Sequence, residues 1–158
     1  DILINLRNRL NEAKNSYESG QVTIQIESIK GWIEYSKGNT EKAIEYMKLA
    51  SKLESETSKA AVTPGEIIPA EELLADLYML TGRHKEALKS YELNLKGRPF
   101  RFNGLYGAAK AAQKLDNNEL AAYYFEKLIE VSEDVNSSRP ELSEAKDFLA
   151  NNSNSKNV

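Results

Sequence analysis

A chain of 158 residues is the usual size of one domain, and its net charge of −3 leaves no basic surface for a nucleic-acid backbone. It has no cysteine and a single histidine, so disulfides and thiolate metal sites are excluded and a zinc site lacks credible ligands. No apolar run approaches the roughly 18 residues that predict a membrane span.

The first predicted element is a helix within residues 1–20. Its apolar residues recur at intervals of three and four, which is typical of one helix face. They are Leu3, Leu6, Leu10, Ala13 and Tyr17. Because the chain starts at Asp1 and enters this pattern at once, we interpret it as a processed or a truncated protein. Export with a removed signal peptide and a cytoplasmic location therefore both stay open.

An internal repeat predicts three helical hairpins next. The series Gly82, Ala87, Tyr91 recurs at the same spacing as Asp116, Ala121, Phe125 and as Gly38, Ala43, Met47. The first and second series lie about ten residues further apart than the second and third. The predicted order within a single domain at 1–150 is repeat 1 at 22–54, an inserted loop at 55–68, repeat 2 at 69–99, repeat 3 at 102–133 and a capping helix at 138–150. The tail at 151–158 is rich in Asn and Ser, which predicts disorder.

The second repeat resembles the tetratricopeptide signature. It contains Leu74-Ala75-x-x-Tyr78, followed by Gly82, Ala87, Tyr91 and Pro99. The resemblance implies an all-α solenoid of about three hairpins, in which small residues let two helices cross closely and Tyr91 fills the gap beside them. The third repeat has Glu133 where a proline is expected. The first is weakest, because Lys30 and Glu34 replace apolar residues and its apolar positions lie one step out of register. Those apolar positions are Val22, Ile26, Ile29 and Ile33.

The loop at 55–68 is the feature that plain repeats lack. Its centre, Thr63-Pro64-Gly65-Glu66, is a turn signal, and long loops in compact domains are often functional. The segments Val62–Leu74 and Arg101–Ala109 are similar to a largely uncharacterised set of bacterial tetratricopeptide proteins with a Val-Thr-Pro-Gly loop, many of which look exported. Those relatives often have a histidine before the turn, where this chain has Ala60 and Ala61. No ligand role for a histidine is therefore carried over.

The tetratricopeptide resemblance assigns a candidate partner-binding surface to the concave side of the first helices. Its residues are Trp32, Tyr35, Glu72, Asp76, Met79, Asn103, Tyr106, Lys110 and Gln113. This mixture of acidic, apolar and basic groups suits an extended peptide or a partner helix. Trp32 and Tyr35 have an alternative role as core beneath the first helix. Arg101, Asn103 and Tyr106 have an alternative role in holding the loop near Thr63–Glu66 through its backbone.

No catalytic motif is present, since the chain has no phosphate-binding glycine loop, nucleophile elbow or metal motif. Glu72 and Asp76 lie one turn apart, but a charged outer face explains them equally well. The predicted function is a non-catalytic scaffold for a protein or peptide partner, with no cofactor and no metal. The alternatives are a small-molecule or glycan-fragment domain closed by the 55–68 loop, and a structural spacer in a larger protein. Oligomeric state stays open.

Overall fold

The computed structural model describes residues 1–57, 67–133 and 138–155, with side chains placed as far as residue 152. Within these ranges every regular element is an α-helix, which confirms the predicted all-α class. The helices are α1 (Ile2–Glu12), α2 (Ser16–Ser36), α3 (Thr40–Glu56), α4 (Ala70–Leu80), α5 (His84–Gly97), α6 (Phe102–Lys114), α7 (Asn118–Glu130) and α8 (Pro140–Ser155). The predicted turn residues Thr63, Pro64 and Gly65 lie outside the described residues.

The described chain divides into two compact units. Unit 1 comprises Asp1–Leu77 and unit 2 comprises Tyr78–Val158, so the boundary falls within α4. In unit 1, α2 packs against both α1 and α3. In unit 2, α6 packs against α5 and α7, and α7 packs against α8. Helix α8 continues to Ser155, beyond the predicted end at 150, so the structure places a helix where part of the disordered tail was expected.

Among the described residues, one type of turn occurs between α1 and α2, α2 and α3, α4 and α5, and α6 and α7. Each turn has a central residue with positive φ, the backbone region that favours glycine. These residues are Lys14 (57°), Gly38 (83°), Gly82 (74°) and Asp116 (57°). The next residue donates its N–H to a carbonyl in the last turn of the preceding helix. The donor–acceptor pairs are Asn15–Leu10 and Asn39–Glu34, both 2.9 Å, Arg83–Tyr78 at 2.9 Å and Asn117–Ala112 at 3.0 Å.

The turn at Lys14 divides the single helix predicted within residues 1–20. Asn15 caps α2, because its Oδ1 accepts the N–H of Glu18 at 3.2 Å and its Nδ2 donates to the Glu18 carboxylate at 2.8 Å. The pair differs from a capping box, because Glu18 accepts from the Asn15 side chain while the Asn15 backbone N–H bonds to Leu10. The apolar residues keep the spacing of one helix face as far as Tyr17, so their pattern did not predict that a new helix begins here.

Small residues allow close helix contact in unit 1. A Cβ on Gly31 would lie 2.9 Å from Cγ of Met47 and 3.2 Å from the carbonyl oxygen of Ala43, so α2 and α3 meet closely at this glycine. Ala43 and Met47 are fully buried. Both residues belong to the repeat series, and their burial agrees with a helix crossing at these positions.

The ends of the inserted segment are held by hydrogen bonds between α3 and α4. Glu54 is buried in the last turns of α3, and its Oε2 accepts the backbone N–H of Ala70 at 2.8 Å. A carboxylate at a helix N-terminus satisfies a free donor and interacts favourably with the helix dipole. Ser51 of α3 also donates a hydrogen bond to Glu71 of α4. The two helices flanking residues 57–69 are therefore joined where the inserted segment leaves and returns.

Glu34, which replaces an apolar residue of the repeat pattern, organises the turn between α2 and α3. Its carboxylate accepts hydrogen bonds from Lys37 Nζ at 2.9 Å and Asn39 Nδ2 at 2.8 Å, and Lys42 Nζ lies 3.4 Å away. The hydrogen bonds from Lys37 and Asn39 lower the pKa of Glu34 to about 2, and burial opposes them only in part. The charged form of this side chain therefore stabilises the folded state.

We expect stability to depend on pH through Glu34. A pKa lowered on folding contributes stability that is present above the ordinary value of 4.5 and is lost as the pH falls towards 2. The difference in unfolding free energy between the wild type and Glu34→Gln should therefore be largest near neutral pH and shrink between pH 4.5 and 2. Urea unfolding followed by circular dichroism measures this difference. Glu45→Gln, at an exposed position of α3, is the control, and equal pH profiles for the two variants would contradict the assignment.

Candidate functional site

Three residues of the predicted partner-binding surface, Asn103, Tyr106 and Lys110, lie on α6. Each of them contacts either α8 or Arg139, the residue just before α8. The Tyr106 hydroxyl donates to Oε2 of Glu144 at 2.6 Å, and Lys110 forms an ion pair with the same carboxylate. Arg139, just before α8, donates from Nη2 to Oδ1 of Asn103 at 3.4 Å. The candidate surface of α6 is therefore already engaged within unit 2.

The electrostatics of this cluster follow from burial and from the shared carboxylate. Burial raises the pKa of Tyr106, and its hydrogen bond to Glu144 raises it further. Burial also raises the pKa of Glu144, but the hydrogen bonds from Lys110 and Tyr106 together outweigh it, so the net shift is downward. Glu144 is therefore held as a carboxylate between a hydroxyl donor and an ammonium group.

Arg139 links this cluster to the start of α6. Its guanidinium lies over the Phe102 ring, 3.8 Å from the centroid, and donates to Glu141 at 3.1 Å. The hydrogen bond from Arg139 lowers the pKa of Glu141. Arg101, predicted to anchor the loop, is the partly buried N-cap residue of α6. The predicted contact between Arg101, Asn103 or Tyr106 and Thr63–Glu66 falls outside the described residues.

The other predicted residues of the partner-binding surface on α4 and α6 are buried or partly buried. Glu72 has only 1% of its surface exposed, so it cannot present a carboxylate to a partner. Asp76 and Met79 are partly buried. Gln113 is also partly buried, and its Oε1 has no hydrogen-bond donor within the described part of the chain.

The aromatic pair of α2 lies beside apolar side chains that the structure leaves exposed. The Trp32 and Tyr35 rings are 6.1 Å apart in an edge-to-face arrangement, and both residues are partly buried. Ile29 and Ile33 each retain 46% exposure. They lie four residues apart, so they are neighbours on one side of α2.

This apolar side of α2 is buried in its first half and exposed in its second half. Val22 and Ile26 continue the same apolar side towards the start of α2, and both are buried. Helix α1 turns back at Lys14 and packs against α2. Of the four apolar residues that lie out of register with the repeat pattern, Val22 and Ile26 are buried, whereas Ile29 and Ile33 are exposed.

A family model described as tetratricopeptide repeat matches residues 29–57 and 72–96. The chain contains tetratricopeptide repeats. The two matches fall on the α2–α3 and α4–α5 hairpins, and α6–α7 follows with the same turn geometry. Tetratricopeptide repeats generally mediate protein–protein interaction and are typically not catalytic.

Among solved structures, the chain is similar to one titled "Crystal structure of MamA protein", with a TM-score of 0.59 and 17% sequence identity. The similarity covers 87% of this chain and 76% of that one, and at this identity it shows the tetratricopeptide fold alone. No curated protein matches the chain significantly. Over the described residues, none of the helices combines the length and apolar character needed to cross a bilayer.

Proposed function

We propose that this chain is a non-catalytic scaffold that binds a protein partner through the first helices of its repeats, with the exposed half of α2 as the main contact. The observation that carries the proposal is the pair of isoleucines, Ile29 and Ile33, which remain 46% exposed beside the Trp32–Tyr35 pair. Contiguous exposed apolar side chains rimmed by polar groups are typical of interaction sites.

The chemistry of this surface favours a helix or peptide with its own apolar face. Two branched side chains one turn apart form a ridge, and an amphipathic partner helix can pack its apolar side chains against such a ridge. Tryptophan is enriched among residues that dominate binding energy, and the edge-to-face contact with Tyr35 holds Trp32 in a defined position. Much of the ordering cost of the aromatic pair is therefore met before binding.

The α6 residues have a different part in this proposal. Tyr106 and Lys110 both bind Glu144, so a partner that uses them must displace that carboxylate or bind around it. We therefore assign the principal contact to α2 and a secondary, polar contact to α6.

A pull-down from an extract of the host cell tests this assignment. We expect Trp32→Ala and Ile33→Ala to lower the recovery of specific partners by about tenfold or more, because loss of a central apolar contact commonly costs 1–2 kcal/mol of binding energy. Tyr106→Ala should have the smaller effect. The matched control is Leu93→Ala, because Leu93 is also an exposed apolar residue but lies on α5. Circular dichroism checks that each variant is folded, and equal recovery by all of them would refute the proposal.

A further inference from the structure

Helix α7 is bordered by two clefts in unit 2 that the repeat pattern did not indicate. The first has a volume of about 540 Å³, lies between α5 and α7, and has Leu105 of α6 in its lining. The second, of about 430 Å³, lies between α7 and α8. Tyr123 lines both clefts and is 51% exposed, so the two clefts adjoin at this side chain.

The first cleft is mainly apolar. Its walls include Leu95, Leu105, Val131 and Pro99, and Phe100 stands beside them with 78% of its surface exposed. The polar groups around this cleft are largely paired with one another. The Tyr124 hydroxyl donates to Glu92 at 3.1 Å, and Lys127 forms an ion pair with Glu130 at 2.6 Å. The cleft therefore offers space for a large apolar side chain and little unbalanced charge, apart from Lys96.

The second cleft is less apolar than the first and is lined by two acidic side chains. Glu119 and Glu126 lie two turns apart on α7, and neither has an ion pair or a hydrogen-bonded side-chain partner among the described residues. Asn152 of α8 lines the same cleft, and its buried Nδ2 has no acceptor in the described part of the chain. Two unpaired carboxylates favour a cation, and a buried amide donor without a partner favours a carbonyl oxygen.

We propose that the two clefts form one docking surface for a peptide segment of a partner protein, with a large apolar side chain in the first cleft and a lysine or arginine in the second. The carboxylates of Glu119 and Glu126 would pair with the cation, and Asn152 would donate to a backbone carbonyl of the segment. This surface is separate from the exposed half of α2 and does not depend on it.

The geometry of α7 also sets the spacing within the segment. The α7 residues that line the two clefts are centred about four positions apart, which corresponds to about 7 Å along the helix axis. In an extended peptide, side chains at positions i and i+2 point to the same side and lie about 7 Å apart. The apolar and basic residues of the segment are therefore separated by one residue.

Titration of the ¹⁵N-labelled full chain with short peptides tests this inference by NMR. The probe is the N-acetylated, C-amidated heptapeptide Gly-Ser-Phe-Ser-Arg-Ser-Gly. Two matched peptides replace its phenylalanine by serine or its arginine by glutamate. We expect the probe to shift the amide signals of α7 around Tyr123, with a dissociation constant between about 0.1 and several mM, as befits a single apolar anchor and an exposed ion pair. Both matched peptides should bind at least about fivefold more weakly.

A pair of double variants separates a specific site from a general effect of charge. Glu119→Gln with Glu126→Gln should weaken binding of the probe about fivefold, and raising the salt concentration should reduce that difference. Glu45→Gln with Glu86→Gln removes two other exposed carboxylates and should leave the affinity unchanged. Absence of shifts on α7, equal affinities of the two double variants, or equal binding of all three peptides would each overturn the inference. Shifts confined to α2 would also overturn it, while leaving the proposed function intact.

Discussion

Replacing Phe125 by alanine is expected to lower the free energy of unfolding by about 3–5 kcal/mol, the largest effect of any single truncation considered for this fold. Phe125 is fully buried at the meeting point of three helices. Its ring centroid lies 5.1 Å from that of Phe148 on α8 and 6.3 Å from that of Tyr106 on α6. Truncation leaves a cavity that the two facing rings cannot fill without leaving their own contacts.

Urea unfolding monitored by circular dichroism measures this loss. Phe100→Ala removes the same side chain from an exposed position and should change the unfolding free energy by no more than about 0.5 kcal/mol. Similar values for the two variants would show that the three rings do not form the core of unit 2. Because α8 loses its main aromatic contact, we also expect faster hydrogen exchange in α8 than in α5.

Gly107→Ala is expected to destabilise the chain by about 1–3 kcal/mol or more, although alanine is the better helix former. A Cβ at Gly107 would lie 2.3 Å from Cζ and 2.4 Å from Cε1 of Tyr91. The Tyr91 ring is buried and rigid, so the helices α5 and α6 must separate to make room. Thermal and urea unfolding of the variant measure the cost.

Two comparisons show whether the contact with Tyr91 is the cause. Gly20→Ala places the same methyl group within α2, where nothing lies within 4 Å, and should stabilise the chain by about 0.5–1 kcal/mol. Adding Tyr91→Val to Gly107→Ala should cost less than the two single changes together, because the clash is removed. Strict additivity would assign the loss to some property of the α6 backbone instead.

Much of the fold could be predicted because the repeat fixes residue types at positions where backbone geometry demands them. Gly38, Gly82 and Asp116 all adopt positive φ, as equivalent turn positions should. Met47, Tyr91 and Phe125 are all buried. The equivalent turn at Lys14 was not predicted. Lysine is uncommon at positive φ, and the apolar residues keep the spacing of one helix face on both sides of Lys14.

The candidate site was less predictable, because its contacts join residues far apart in the sequence. A repeat template can place Tyr106 and Lys110 on one side of α6, but it contains no information about Glu144, which lies on a helix beyond the repeats. The same holds for Ile29 and Ile33, which have the spacing of core residues. Their spacing does not show that both side chains remain 46% exposed in the fold.

The four equivalent turns also determine how each following helix is rotated about its own axis. Each turn has three residues, at 13–15, 37–39, 81–83 and 115–117. Successive residues of an α-helix are rotated by about 100°, so one residue added to such a turn would rotate the apolar side of the next helix away from its neighbour. The connections at 57–69, 98–101 and 131–139 differ in length. Insertions that preserve the helix contacts are therefore expected in these connections and not in the three-residue turns.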